Sequence, residues 1–462
     1  MALLPRTSPK RCSPARKSPT GRTDGALVIQ GGRIITVDDQ NTIGLLDLRI
    51  EDGRITQIGE RLSTRGVRQV IDARNLVVMP GFVQAHIHLC QTLCRAQAES
   101  MGLLDWLRER VWPMEGALAP DDLRAAARLA LAELLLSGTT SILDMGTVRH
   151  TDVLFEQARD LGIRYTGGKA IMDRGQGYPA GLRETTQQAL AESERLCRAW
   201  HGTENGRLRY AFSPRFGLSC TDEAIRTCVA LARQTGALLH SHAAESSEEV
   251  DLIRERTGTS YVEYLHQLGF TGPDVVLAHG VWLSASERSI LHATGTHIVH
   301  CPSANLKLAS GIARVDELMA DGIHVALGAD GAACNNSLDA FMEMRLAALL
   351  HKVRGGPAAI DAGQALRLAT RAGAEALGLS DTGQIGVGKW ADLQLLDLNK
   401  PHVFPDNGDL VARIVYSARP SDVHTVMVAG KTLVKDGQLV DKNIGSILRE
   451  ASEAAGRVLS RI

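Results

Sequence analysis

Val78 to Thr92, VMPGFVQAHIHLCQT, is the stretch on which the reading of this chain turns. A short Val-rich apolar run is broken at Pro80-Gly81 and then continues into His86-Ile87-His88. Alternate residues of a strand face the same side, so His86 and His88 send both imidazoles one way. Neutral imidazole is the commonest side-chain metal ligand, and two on one stiff strand form a preorganised half-site. His-x-His alone is a weak motif. Its weight depends on what later strands supply.

Downstream, apolar strand patterns alternate with helical ones. The strand candidates are VMPGFVQAHIH, TTSILDM, RYTGGKAIM, LRYAFSPR, ALLHSHAAE, DVVLAHG, THIVHCP and HVALGADG. Between them lie helical stretches such as PDDLRAAARLALAELLLSG, with Asp122 and Glu133 expected on polar faces. Eight strand-helix units predict a (β/α)8 barrel over residues 78–380, with any active site at the C-terminal strand ends. An open doubly wound sheet would show a Gly-rich phosphate turn after its first strand, and none is present.

Outside the barrel, short β runs separated by Gly and Asp-Gly occupy residues 26–77 and return at 381–440. Each is too small to hold a core alone, so the two segments are expected to pair into one small discontinuous β-sandwich domain. A C-terminal helix is expected over 441–462. Residues 1–25, rich in Ser, Pro, Arg and Lys, lack the apolar core of a secretory signal and read as a disordered basic tail.

The 51 basic and 52 acidic side chains nearly cancel, which argues against general affinity for nucleic acid or an anionic membrane. No apolar run is long enough to span a bilayer. Eight cysteines at irregular spacing read as reduced thiols of a cytoplasmic protein.

Read together, the strand ends form a constellation. The first supplies His86 and His88, the fifth His240, His242 and, just beyond it, Glu245. The sixth supplies His279, the seventh His300 and the eighth Asp330. Three imidazoles and a carboxylate around one ion leave a position for water, which the ion acidifies towards neutral pH. Glu245 is then placed as a proton shuttle and His279 as a residue that orients water or polarises the substrate. His300 is read as a satisfied core histidine and Cys301 as packing. The fourth strand ends SPRF, with Arg215 where a binuclear site would carry a bridging Lys. Lys169, on the third strand, lies short of its strand end, so a single metal is favoured.

PGFVQAHIH, HAAE, LAHG and LGADGAACNNSLD, with the terminal IGVGKWADLQLLDL, resemble the amidohydrolase superfamily in its cytosine/adenosine-type deaminase and s-triazine hydrolase branch. The resemblance covers about Gly32 to Leu398. It implies one divalent metal, zinc first and iron second, on His86, His88, His242 and Asp330. It further implies Glu245, His279 and Asp330 as acid/base and water-orienting residues, and a homo-oligomeric assembly.

The substrate is implied less narrowly. LLDWLRERVWPME is similar to deaminases of methylthioadenosine, S-adenosylhomocysteine and 5'-deoxyadenosine, in which the positions of Trp106 and Glu115 contact ribose. SPRFGLSC and HIHLCQ, with Arg215, Phe216 and Gln91, resemble guanine deaminases. There the Arg meets the purine carbonyl and the Phe stacks on the ring. Arg215 is a pure donor that suits an oxo acceptor, although a structural ion pair is the plainer reading. The first expectation is hydrolytic deamination of an adenosine-type nucleoside, with guanine or a pterin as the alternative. An s-triazine amino- or chlorohydrolase follows, with Cys334 as in melamine-type deaminases. A non-catalytic scaffold would show gaps in the ligand set, and the set has none.

Overall fold

The computed structural model describes residues 25–175 and 177–462. The Ser/Pro/Arg/Lys-rich segment therefore lies, but for Gly25, outside the described residues. All eight barrel strands form: β1 (Phe82–His88), β2 (Thr139–Met145), β3 (Arg164–Gly168, resuming as Ala170–Ile171), β4 (Leu208–Pro214), β5 (Leu238–Ala243), β6 (Val275–His279), β7 (His297–His300) and β8 (Val325–Leu327, resuming as Asp330–Gly331). They pair in parallel in sequence order. The ring closes where Asp330 and Gly331 pair with Ile87 and His88 of β1.

Every residue of β1 is buried, because its inward side chains fill the barrel while Val83, Ala85 and Ile87 meet the surrounding layer. Gln84 is the innermost of the inward row Gln84, His86, His88. It fastens the break in β8 by accepting from the Ala329 N–H (3.0 Å) and donating to the Leu338 carbonyl (2.8 Å).

Both ends of the chain build a second sheet. Val77–Pro80 pairs antiparallel with Leu393–Leu396, joining five N-terminal strands to four C-terminal ones. The expected sandwich is thus hydrogen-bonded as a single nine-stranded sheet, and Ile29, Leu48, Ile55, Leu393 and Met427 share its core. Gly81 is the only residue between this sheet and β1. A Cβ there would come within 2.1 Å of Thr140, so the chain passes from sheet to barrel only because the position is bare. Arg164 and Asp392 tie the two units by a buried bidentate pair at 2.7 and 3.1 Å.

Asp122 corrects an expectation. It lies not on a polar face but fully buried, bonded to Arg457 (2.8 Å) and Arg461 beneath the C-terminal helix Ile444–Leu459. Glu133 is half-buried and accepts from Arg95 and from the Leu338 N–H. The outer face of Pro120–Leu136 is therefore an interface, covered by residues more than 300 positions later. Among the described residues no helix is long and apolar enough to cross a membrane. We expect Asp122→Ala to loosen this helix locally. Hydrogen exchange should lose protection across 444–459 while the barrel strands keep theirs.

Candidate metal centre

The C-terminal strand ends converge as the alternation of β1 and β5 requires. Ligand atoms of His86, His88, His242 and Asp330 lie within 4.8 Å of one another, and all four residues are buried. Asp330 Oδ1 is 3.3 Å from His86 Nε2 and 3.4 Å from His88 Nε2. His88 Nε2 lies 3.1 Å from His242 Nε2.

Hydrogen bonding behind each ring shows why those nitrogens meet. His88 Nδ1 donates to the Met145 carbonyl (2.7 Å) and His242 Nδ1 to the Arg215 carbonyl (2.6 Å). A carbonyl only accepts, so each Nδ1 carries the proton and each Nε2 of the neutral ring is a bare lone pair. Two lone pairs 3.1 Å apart repel unless a cation lies between them. His86 Nε2 is likewise buried with no hydrogen-bond partner. Burial drives His88 down to about 4, and His86 and His242 down as well, so the rings are neutral ligands. Burial alone would raise Asp330, but the histidines packed against it, His86 foremost, outweigh that effect and hold the carboxylate well below its usual range. Three neutral imidazoles and one carboxylate are a donor set that fits a divalent cation.

Glu245 and His279 adjoin this set. Glu245 Oε2 is 3.4 Å from His279 Nε2, which is 3.8 Å from Asp330 Oδ2. His279 Nδ1 is held by Asn305 Oδ1 at 2.9 Å, leaving Nε2 as an unpartnered acceptor. Burial, with Asp330 and Glu249 nearby, pushes the Glu245 carboxyl well above its usual range, and its Oε1 is also unpartnered. His279 (φ 77°) and Asp330 (φ 61°) both sit in the left-handed region, a conformation uncommon outside Gly that collects at functional sites.

A small cavity opens beside the cluster, lined by Gln91, Trp106, Arg215, Phe216, Glu245 and Glu249 among others. Leu103, Trp106 and Leu107 cover it from a helical segment that passes through a π-turn at Leu107–Val111. Arg215 forms a buried bidentate pair with Glu115 (2.5 and 3.1 Å), and Gln91 Nε2 donates to the same carboxylate at 2.9 Å. Glu115 therefore stands behind Arg215 and Gln91 rather than on the cavity wall. Because Gln91 Nε2 is committed, its Oε1 is fixed as a free acceptor packed on Gly331, where a Cβ would come within 1.9 Å. Trp106 Nε1 is a free donor.

Lys169 is buried on Glu184 and the Val148 carbonyl, apart from the cluster. His300 is buried but not satisfied: neither ring nitrogen has a partner, and its ring packs on His351. Burial takes it down to about 3, so it stays neutral, and an unpaired neutral ring is tolerated where an unpaired cation would not be. Cys301 is buried, as packing requires.

Two residues of the site escaped the reading of the sequence. Asn305 orients His279. Glu249 accepts from the Glu245 N–H (2.9 Å) and from Tyr261 Oη–H (2.7 Å). Glu249 follows Glu245 by four residues in HAAESSEEV, the one local sign that it could reach back.

Four ligand-type side chains at the mouth of a (β/α)8 barrel form a group that could hold a metal ion, and comparison along the whole chain gives the class. Residues 77–433 match the model of the amidohydrolase family, and the chain belongs to that family. It is 38% identical to a 5'-deoxyadenosine deaminase of Methanosarcina mazei over 94% of this chain and 99% of that one. A 5-methylthioadenosine/S-adenosylhomocysteine deaminase of Pelotomaculum thermopropionicum is equally similar, at 38% with 94% and 99% coverage. Among solved structures, an adenosine deaminase from Xanthomonas campestris with bound zinc superposes with a TM-score of 0.88 at 28% identity, covering 94% of this chain and 98% of that one. An atrazine chlorohydrolase from Arthrobacter aurescens, complexed with zinc, matches at 0.88 and 27%, with 93% and 100% coverage.

Removing Glu115 would leave Arg215 buried and unpaired. We expect Glu115→Ala to cost about 3–5 kcal/mol in urea unfolding, with bound metal retained. An unchanged midpoint would show that the pair is not desolvated.

Proposed function

We propose that this protein is a metal-dependent aminohydrolase that deaminates an adenosine-type nucleoside such as 5'-deoxyadenosine, methylthioadenosine or S-adenosylhomocysteine. The observation that carries the reading is an uninterrupted site: four converging ligands with Glu245 and His279 beside them, in a chain similar along nearly its whole length to such deaminases. One ion is proposed, zinc before iron, on His86, His88, His242 and Asp330. The commitment of Lys169 to Glu184 supports a single ion. When bound, the metal supplies the Lewis acidity that makes water a nucleophile near neutral pH.

The side chains divide the remaining work. Asp330, kept ionised, accepts a proton from the attacking water, and the His279 Nε2 lone pair orients that water. Glu245, kept protonated by burial, donates to the ring nitrogen next to the attacked carbon. The proton held by Asp330 then passes to the amine as the C–N bond breaks and ammonia leaves, and the hydroxyl proton of the adduct returns to Glu245 as the ring carbonyl forms. Phe216 and Trp106 flank the ring, with Trp106 Nε1 free to donate to the substrate.

One observation favours a second reading. Gln91 Oε1 is a fixed acceptor near the donors of Arg215, and together they match the adjacent N–H and C=O of an oxo-heterocycle such as guanine or a pterin. An adenine ring carries no such edge. The s-triazines remain the third class, with Cys334 buried beside the metal Asp and bonded to the Gly331 carbonyl.

The proposal extends to a reducing, cytoplasmic setting, supported by seven free, buried cysteines among the described residues. It also includes a homo-oligomer, supported by the exposed apolar side chains Met342 and Leu349 of the helix Ala340–Leu350 and Val353 of the short helix that follows.

An ammonia-release screen over adenosine analogues, guanine, pterins and melamine decides among the substrates. Turnover of the 5'-modified adenosines is expected to lead, and guanine or a pterin leading would select the second reading. Metal analysis should find about one equivalent of Zn or Fe; a protein that binds neither would sink the enzyme reading. Arg215→Ala should cripple turnover while leaving bound metal in place, and unchanged turnover would remove Arg215 from the substrate pocket.

A further inference from the structure

His240 carries no role in the chemistry above, yet it is fully buried two residues before the ligand His242, on the same inward face of β5. Its Nδ1 lies 2.9 Å from the Val276 carbonyl, and its Nε2 lies 2.8 Å from His86 Nδ1. These two distances determine where every proton sits. The carbonyl can only accept, so His240 Nδ1 carries the hydrogen and Nε2 of the neutral ring is an acceptor. His86 Nδ1 must then donate to it, which leaves His86 Nε2 bare and facing Asp330 Oδ1 at 3.3 Å.

We infer that His240 is a positioning residue that holds His86 in its metal-binding tautomer. The other ligand rings are set by main-chain carbonyls, that of Met145 at the end of β2 for His88 and that of Arg215 just past the end of β4 for His242. His86 lies deeper in the barrel, where its Nδ1 meets no carbonyl. Strands β1 and β5 are both odd-numbered, and odd strands contribute to the same interior layers, so His240 stands across the barrel at the depth of His86. The ring centroids are 4.9 Å apart. An imidazole there does the work that a carboxylate or carbonyl does behind most metal-binding histidines. It does so without adding a negative charge to a buried layer.

An aliphatic residue at 240 would leave His86 Nδ1–H without an acceptor. Nothing would then hold the proton on that nitrogen, and the tautomer with Nε2–H would point a hydrogen at the ligand cluster and exclude the ion. Gln at 240 keeps an acceptor for His86, whereas Asn reaches only the Val276 carbonyl. The two amides therefore separate tautomer control from the filling of a core position.

This inference rests on the metal-site reading, and its test reads metal affinity rather than turnover. Full-length wild-type, His240→Leu, His240→Gln and His240→Asn are stripped of metal and titrated with Zn(II) against a chromophoric chelator. Unfolding of each metal-free protein is followed in parallel. We expect His240→Leu and His240→Asn to bind Zn(II) about 10–100-fold more weakly and His240→Gln to stay within about threefold of wild-type. The Co(II) absorption spectrum should be altered in the first two and preserved in Gln. If His240→Leu does not fold, the comparison of Gln with Asn decides. Equal Zn(II) affinity in all folded variants would overturn the role of His240. A wild-type chain that binds no Zn(II) would overturn the metal site itself, a distinct result.

Discussion

Three imidazole lone pairs and one carboxylate oxygen are held against a common point inside a barrel, where water cannot separate them. His88 Nε2 and His242 Nε2 face each other at 3.1 Å with both protons on the far side of their rings. Such an arrangement is repulsive in itself and becomes favourable only around a cation. Much of the surrounding structure serves to maintain it. The break in β8 swings Asp330 inward onto β1, Gln84 ties off the N–H exposed by that break, and the single bare residue Gly81 lets β1 enter from the sheet without displacing Thr140.

The same burial that makes the imidazoles neutral also divides the two reacting carboxyl groups. Asp330 has the histidines against it and stays charged. Glu245, a few ångströms away, is pushed well above its usual range by burial and by the nearby carboxyl groups of Asp330 and Glu249. Two carboxyl groups with opposed protonation states suit the proposed transfer of one proton onto the ring and of another onto the leaving amine. The difference comes from what surrounds each residue, since both are buried. Glu249 sharpens it by holding the Glu245 main chain and adding a second carboxyl nearby.

The legibility of this protein follows from the range of the interactions involved. Strand order and the ligands could be read because β-strands alternate with period two, so His-x-His and HSHAAE announce which side chains face inward. The expectation of a single metal rested on the Arg at the end of β4. What escaped were interactions set by register between distant strands. Nothing near Asn305 marks it as the partner of His279, and nothing near Asp122 signals a helix that arrives from the far end of the chain. Glu115 shows a further case: the resemblance to adenosine-type deaminases suggested a ribose contact, and what the sequence did not announce is that its carboxylate accepts from both Arg215 and Gln91.

That placement bears on how the site chooses a substrate. Glu115 carries two donors, so it neutralises Arg215 while fixing the amide of Gln91, and a single buried carboxylate sets the polarity of the cavity edge. A ligand that leaves Gln91 Oε1 unpaired loses more than one that merely fails to fill space, because a buried polar group without a partner keeps its desolvation cost. Discrimination between an adenine and an oxo-purine would then lie at Gln91, three residues beyond His88, on the turn where β1 leaves the metal. On the proposed reading, the stretch that holds His86 and His88 would also hold the group that tells one heterocycle from another.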